Sequence, residues 1–240
     1  MADNPAKEGG VAVVTAASAG IGLGAARALA ARGWRLVLMS RSEKIDAVAE
    51  ELGAIALRGD VTRSEDLARL VEVALERHGR IDGAVINTGH PPKGEILALP
   101  AADWKKAMDI ILMPTVELLR HLQPVFARQG AGAVVAVSTY AAREPELTYP
   151  LSAVFRAALA SFIKLAVARH GGEGWRINAV LPGFVDNHPT NPDALAKIPM
   201  RRYAAVETEM GATIAFLLSE EAGYITGQGL LVDGGLVRAL

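Results

Sequence analysis

From Val11 onward, short apolar runs alternate with longer stretches in which apolar residues recur at helical spacing. Val11 to Thr15, Arg35 to Met39, Ala54 to Leu57, Gly83 to Asn87, Ala133 to Ser138, Arg176 to Leu181 and Leu230 to Val232 read as strands. Their near-continuous Val, Leu, Ile and Ala content suits strands buried on both faces. Between them, Ile21 to Ala31, Glu43 to Leu52, Ser64 to Arg77, Ala102 to Gln129, Leu151 to His170 and Val206 to Leu218 read as helices. Thr62 with Glu65 makes a capping box for the third helix, and Gly33, Gly53 and Gly79 stand where C-terminal caps are needed. This alternation predicts an α/β fold, a single Rossmann-type doubly wound domain with a seven-stranded parallel sheet. No repeat or linker divides it, so residues 1–9 read as a flexible tail and 10–240 as one domain. Within it, Phe184 to Arg202, with Pro189, Pro192 and Pro199, reads as an irregular segment, and a segment of that length suits a substrate lid.

Composition removes several function classes. The 25 Lys and Arg balance 26 Asp and Glu, a formal charge of −1 without a basic block, which points away from nucleic acid and anionic membranes and toward a small-molecule ligand. With no cysteine there is no disulfide and no thiolate chemistry. The five histidines, His78, His90, His121, His170 and His188, lack the short spacing of a zinc site, so no metal is expected. Met1 to Gly10 has neither the basic nor the apolar region of a signal peptide, and no apolar run long enough to span a bilayer is free of charge. The expectation is a cytoplasmic protein.

The stretch from Val11 through Thr15, Ser18, Gly20, Ile21 and Gly22 is a strand, a small-residue loop and a helix start, which lets a phosphate approach backbone N–H groups at a positive helix end. Taken alone it is equally a tight turn without a ligand. Further along stand Asp60-Val61, Asn87-Thr88-Gly89, Asn178 to Gly183 with Pro182, and Gly227 with Asp233-Gly234-Gly235. Together these motifs, in order and from Val11 to Gly235, resemble those of the short-chain dehydrogenase/reductase family. The resemblance implies that the Gly20 loop holds a diphosphate, with Ala16 in place of the family's first glycine. It implies that Asp60-Val61 hold adenine and that Asn87 and Gly89 end the fourth strand of the cofactor site, Ile86 replacing an asparagine. It also implies that Pro182 and Gly183 lie under a nicotinamide, with Val185 beside them and Asn187 where a threonine usually bonds the carboxamide.

At the end of the second strand, Met39-Ser40-Arg41-Ser42 has no acid to accept hydrogen bonds from a ribose 2′-hydroxyl, and the planar fork of Arg41 suits a 2′-phosphate. NADP(H) is therefore expected over NAD(H). Against this, Ala19 stands where NADP-preferring relatives often carry a second basic residue, and an exposed Arg41 is otherwise simply solvated.

The catalytic end departs from the resemblance. Ser138 corresponds to the substrate-positioning serine, but the family's Tyr-x-x-x-Lys reads Ser152 and Arg156. A serine hydroxyl, with a pKa close to water's at about 15.7, is a far weaker acid than tyrosine at about 10. Arg156 presents charge and donors to ribose hydroxyls but stays protonated, so it holds rather than relays. Ile111 replaces the asparagine that anchors a relay water, although Pro114, lacking an N–H, is expected to kink the helix and release the Ile110 carbonyl. Tyr149, seven residues before Arg156 and close to the same helical face, ranks first as substitute acid. Tyr140, His90 and His188 follow.

Two readings follow. One is an NADP(H)-dependent oxidoreductase of the carbonyl reductase or alcohol dehydrogenase type, acting on a small molecule through Ser138 and a displaced acid. The other is a non-catalytic dinucleotide-binding protein, a sensor or structural subunit. The helices Ala102 to Gln129 and Leu151 to His170 resemble those through which the family forms dimers and tetramers, so a homodimer or homotetramer is expected. Their apolar positions Leu118, Leu122, Phe155, Leu159, Phe162 and Val167 equally suit a monomer core.

Overall fold

A computed structural model of the chain, describing residues 9–187 and 189–239, contains seven strands. They are β1 (Val11–Thr15), β2 (Arg35–Ser40), β3 (Ile55–Arg58), β4 (Gly83–Ile86), β5 (Gly132–Val137), β6 (Trp175–Pro182) and β7 (Gly229–Val232). All pair in parallel in the order β3-β2-β1-β4-β5-β6-β7. Winding runs outward from β1 to β3 and then restarts at β4 on β1's other side. The crevice at the carboxyl ends of β1 and β4 is therefore the topological switch point, where open α/β sheets bind ligands.

Among the described residues, eight α-helices accompany the sheet: α1 (Gly20–Ala30), α2 (Lys44–Leu52), α3 (Ser64–His78), α4 (Ala101–Ile111), α5 (Met113–Gln129), α6 (Pro150–His170), α7 (Pro192–Lys197) and α8 (Ala212–Leu218). Side chains alternate across each strand, so Ala12, Val14, Leu36 and Leu38 enter a core with α1, α2 and α8, whereas Val13, Val37 and Met39 enter a second core with α3, α5 and α6. Burial of both faces explains why the strands read as unbroken apolar runs.

Several expectations are corrected. The stretch 102–129 is two helices, interrupted at Leu112, since Pro114 gives no N–H to the Ile110 carbonyl. Val206–Gly211 is a wide π turn leading into α8. The segment 184–202 contains α7, whose first N–H groups, those of Asp193 and Ala194, donate to the Asn191 side chain. No Thr62–Glu65 capping box forms. Arg63 takes the N-cap position and binds Glu65, while Thr62 donates to Asp60 and Asp66 accepts the Asp60 N–H. Gly33, Gly53 and Gly79 do adopt positive φ past the helix ends. Of the expected tail, residues 1–8 lie outside the described residues.

By length and composition, the stretch Pro150–Glu173, containing α6, is apolar enough to cross a membrane, at mean hydropathy 1.7. Here Leu151, Leu159 and Ile163 on α6 pack inward, while Val154 and Leu165 are exposed.

Candidate functional site

At the switch point, the buried Thr15 hydroxyl donates to the Asn87 carbonyl at 2.7 Å and accepts the Asn87 N–H at 3.0 Å. The Asn87 side chain donates in turn to the Ala16 carbonyl at 3.3 Å. The ends of β1 and β4 are thereby fixed to each other. The loop between β1 and α1 turns sharply, with Ala16 at φ 48° and Gly20 at φ 54°. A Cβ on Gly22 would lie 2.3 Å from the Ala16 carbonyl oxygen, so glycine is required for this approach. Ala19, at the N-cap of α1, provides no side-chain acceptor, and the first turn, which includes Ile21, carries no acid. The first N–H groups of α1 thus remain for an anion. Next in sequence to Asn87, the Thr88 hydroxyl is buried without a hydrogen-bond partner among the described residues. An uncapped helix start, a glycine cradle and an orphaned hydroxyl together fit a dinucleotide.

The Ser18 and Ser40 hydroxyls are 2.8 Å apart, joining this loop to the end of β2. Arg41 is 76% exposed at its side chain and lies 3.5 Å from Asp60. Arg58 is already paired with Glu43 and Asp46. Burial pushes the Asp60 carboxyl up, but the Thr62 N–H and hydroxyl, together with Arg41, outweigh it and hold the group below its ordinary value. Val61 follows, partly buried. Because Arg41 is largely solvated, exchanging its carboxylate partner for a phosphate costs little.

On the far side of the crevice, the Gly183 N–H donates to Val232 and Val185 bridges to Ala204, which carries the chain from Pro182 into the segment 184–202. Asn187 reaches back over α1, its Nδ2 only 2.7 Å from where a Cβ on Gly20 would stand. Gly89 lies against Ile110.

Ser138, Ser152 and Arg156 come together at the carboxyl end of β5. Ser138, 7% exposed, anchors its N–H on Val180 at 2.8 Å. Arg156 is 5% exposed; its Nη1 donates to the Val137 carbonyl and its Nε to the Ser152 hydroxyl at 3.3 Å. One guanidinium therefore ties the strand end bearing Ser138 to Ser152. Burial lowers its pKa to about 10, leaving it charged at neutral pH. Tyr149 stands at the N-cap of α6, and Lys93 Nζ is 4.7 Å from the centre of its ring.

Of the other acid candidates, Tyr140 directly follows the β5 end. Tyr140 donates to Glu146, which also pairs with Lys197 of α7 at 3.8 Å, and its ring lies beside Phe184. Burial and the neighbouring carboxylate push this phenol well above its ordinary range, so it is unsuited to giving up a proton near neutrality. His90 is exposed on the loop after β4, while His188 lies outside the described residues. The Ile111 side chain is buried. Lys93, Glu146 and the orphaned Thr88 hydroxyl were not singled out in the sequence. Lys93 and Glu146 lie on loops that carry no motif, and Thr88 lies inside the Asn87-Thr88-Gly89 motif, whose spacing does not show that its hydroxyl is unpartnered.

The family model described as Enoyl-(Acyl carrier protein) reductase matches residues 15–237. A cis-4-hydroxycyclohexanecarboxylate dehydrogenase of Sinomonas cyclohexanicum is 33% identical, covering 94% of this chain and 95% of its own. A 3-oxoacyl-acyl-carrier-protein reductase of a Synechocystis strain is 31% identical over 95% of this chain and 96% of its own. Among solved structures, the L-sorbose reductase of Gluconobacter frateurii, complexed with NADPH and L-sorbose, superposes with a TM-score of 0.86 at 28% identity, covering 97% of this chain and 98% of its own.

Proposed function

Since this chain belongs to the short-chain dehydrogenase/reductase family of NAD(P)-dependent oxidoreductases, we propose that it interconverts a small carbonyl compound and its alcohol with NADP(H). The observation that carries this reading is the conjunction of the Gly22 cradle and Thr88 hydroxyl with Ser138 and the Arg156–Ser152 pair at the adjoining strand ends. The cofactor supplies the hydride. Thr15, Ser18, Gly20, Ile21 and Gly22 shape the diphosphate end, and Asp60 and Val61 face the adenine. Asn87, Gly89, Pro182, Gly183, Val185 and Asn187 surround the nicotinamide end.

Reduction turns a carbonyl oxygen into an alkoxide that needs a donor and then a proton. In this proposal Ser138 donates to that oxygen. Tyr149 gives the proton, because Ser152 is too weak an acid and Tyr140 is held by Glu146. Lys93 steadies the Tyr149 ring. Arg156 reaches a ribose hydroxyl. Arg41, free of any acid on its own strand end, favours NADP(H), in line with the NADPH complex of the sorbose reductase. The proposed setting is cytoplasmic, as a homodimer or homotetramer. Exposed Val154 and Leu165 on α6 support assembly, whereas Leu118, Leu122 and Leu159 belong to the monomer's own core.

Replacing Tyr149 by Phe tests the acid assignment. Turnover should fall by at least about a hundredfold, the usual contribution of a positioned acid, while NADPH affinity is retained. Unchanged turnover would remove Tyr149 from the mechanism. A second reading, a non-catalytic dinucleotide binder, is favoured by the engagement of Arg156 with Val137 and the lack of an ionisable group at Ser152. Tight NADPH binding by the unaltered protein, without oxidation on any carbonyl panel, would select it.

A further inference from the structure

Arg156 is a buried guanidinium whose observed partners, the Val137 carbonyl and the Ser152 hydroxyl, are both uncharged. No carboxylate contributes to its ionisation, which burial alone perturbs. Ser152 cannot act as counter-ion either, because an aliphatic hydroxyl does not ionise near neutral pH. A buried charge without an opposite charge is unfavourable, so this position is electrostatically incomplete.

Another arginine of the same chain shows what a purely structural arrangement looks like. Arg176, half-buried, spends Nη1 on the Leu217 and Ile225 carbonyls and Nη2 on the Ser219 carbonyl, at the carboxyl end of α8. Both of its terminal nitrogens are engaged by backbone carbonyls. In Arg156, by contrast, Nε and Nη1 are occupied and Nη2 has no hydrogen-bond partner among the described residues. That nitrogen carries two N–H donors. They suffice for a ribose hydroxyl and one oxygen of an anion.

We propose that the substrate itself supplies the missing negative charge: it is an oxo acid or hydroxy acid whose carboxylate, close to the reacting carbon, is held by Arg156 beside Ser138 and Ser152. The proposal rests on the oxidoreductase reading of the site and names its substrate class. Ser152 is compatible with it on two counts. Its side chain is small, and it accepts from Arg156 Nε, leaving its own O–H to donate. The remaining N–H of Nη2 gives the carboxylate one charge-assisted hydrogen bond, and the guanidinium charge persists across the working pH range.

The test uses the full chain in two arms. In the first, NADPH oxidation is followed with 3-oxohexanoate and with its methyl ester. The acid should be preferred by at least about tenfold in kcat/KM, mainly through KM, because a site built for a charged acceptor rejects an analogue lacking it. Arg156→Lys should keep part of that preference and Arg156→Gln should lose it. An ester turned over as well as the acid, or an undiminished preference in a folded Arg156→Gln protein, overturns the proposal.

The second arm reads binding without turnover, by calorimetry of the protein–NADP+ complex with 2,2-dimethylhexanoate and with its primary amide. The carboxylate should bind and the amide should not, and equal binding of the two, or of neither, overturns the proposal even if the Arg156 variants fail to fold. Carboxylate binding without turnover of acid or ester supports the anion site and counts instead against the oxidoreductase reading.

Discussion

Ala16 occupies a backbone conformation that favours glycine, φ 48°, at the first turn of the phosphate loop. An L-residue there bears roughly 1–2 kcal/mol of strain, while glycine's greater freedom in the unfolded chain returns about 0.4–1 kcal/mol of that difference. Ala16→Gly should therefore stabilise the protein by about 0.5–1 kcal/mol, read as a raised urea midpoint at unchanged slope. A lowered midpoint would mean that the Ala16 methyl has packing of its own. The departure from glycine at this position was legible in the sequence; that the backbone keeps the left-handed turn regardless was not. The same division holds at Arg156, whose place in the motif is visible in the chain. Its acceptor, a backbone carbonyl on β5, becomes definite only once the strand and α6 are packed. Tyr149 was legible from its spacing to Arg156, but its neighbour Lys93 comes from a separate loop.

At the level of elements, the apolar pattern located every strand to within a residue at each end, because double burial gives parallel strands a continuous signal. It was weaker where backbone hydrogen bonding rather than side-chain pattern decides. The apolar period runs uninterrupted through Leu112, and only Pro114 marks the break between α4 and α5. The turn after α6 shows a different kind of control. Glu173 accepts from Gln123 of α5 at 2.6 Å and from Trp175 of β6 at 3.1 Å, and meets His170 of α6 at 2.8 Å. The bonds from His170, Gln123 and Trp175 hold its carboxyl near a pKa of about 2. An unfolded glutamate titrates near about 4.3, so the stabilisation is full above that pH and fades as pH falls toward about 2. The urea midpoint should drop between pH 5 and 3, and Glu173→Gln should remove part of that drop. Identical pH profiles for the two proteins would show that these bonds contribute nothing to folding.

For the whole molecule, the order β3-β2-β1-β4-β5-β6-β7 places the glycine loop after β1, Asp60, Ser138 and the segment 184–202 around the carboxyl edge of one sheet. The cofactor side keeps its cradle, its uncapped helix and its orphaned hydroxyl. The catalytic side exchanges an aromatic acid and an ammonium for a serine and a buried guanidinium. The first half is expected to work as a site for NADP(H), with turnover surviving the change in the second. Titration of the full chain with NADPH and with NADH, followed by nicotinamide fluorescence and then by oxidation on adding carbonyl substrates, tests it most directly. Saturable binding is expected, at least about tenfold tighter for NADPH through Arg41, with oxidation on a carbonyl substrate. Equal affinity for the two cofactors would contradict the role of Arg41, and absence of binding would mean that the first half is no site for NADP(H).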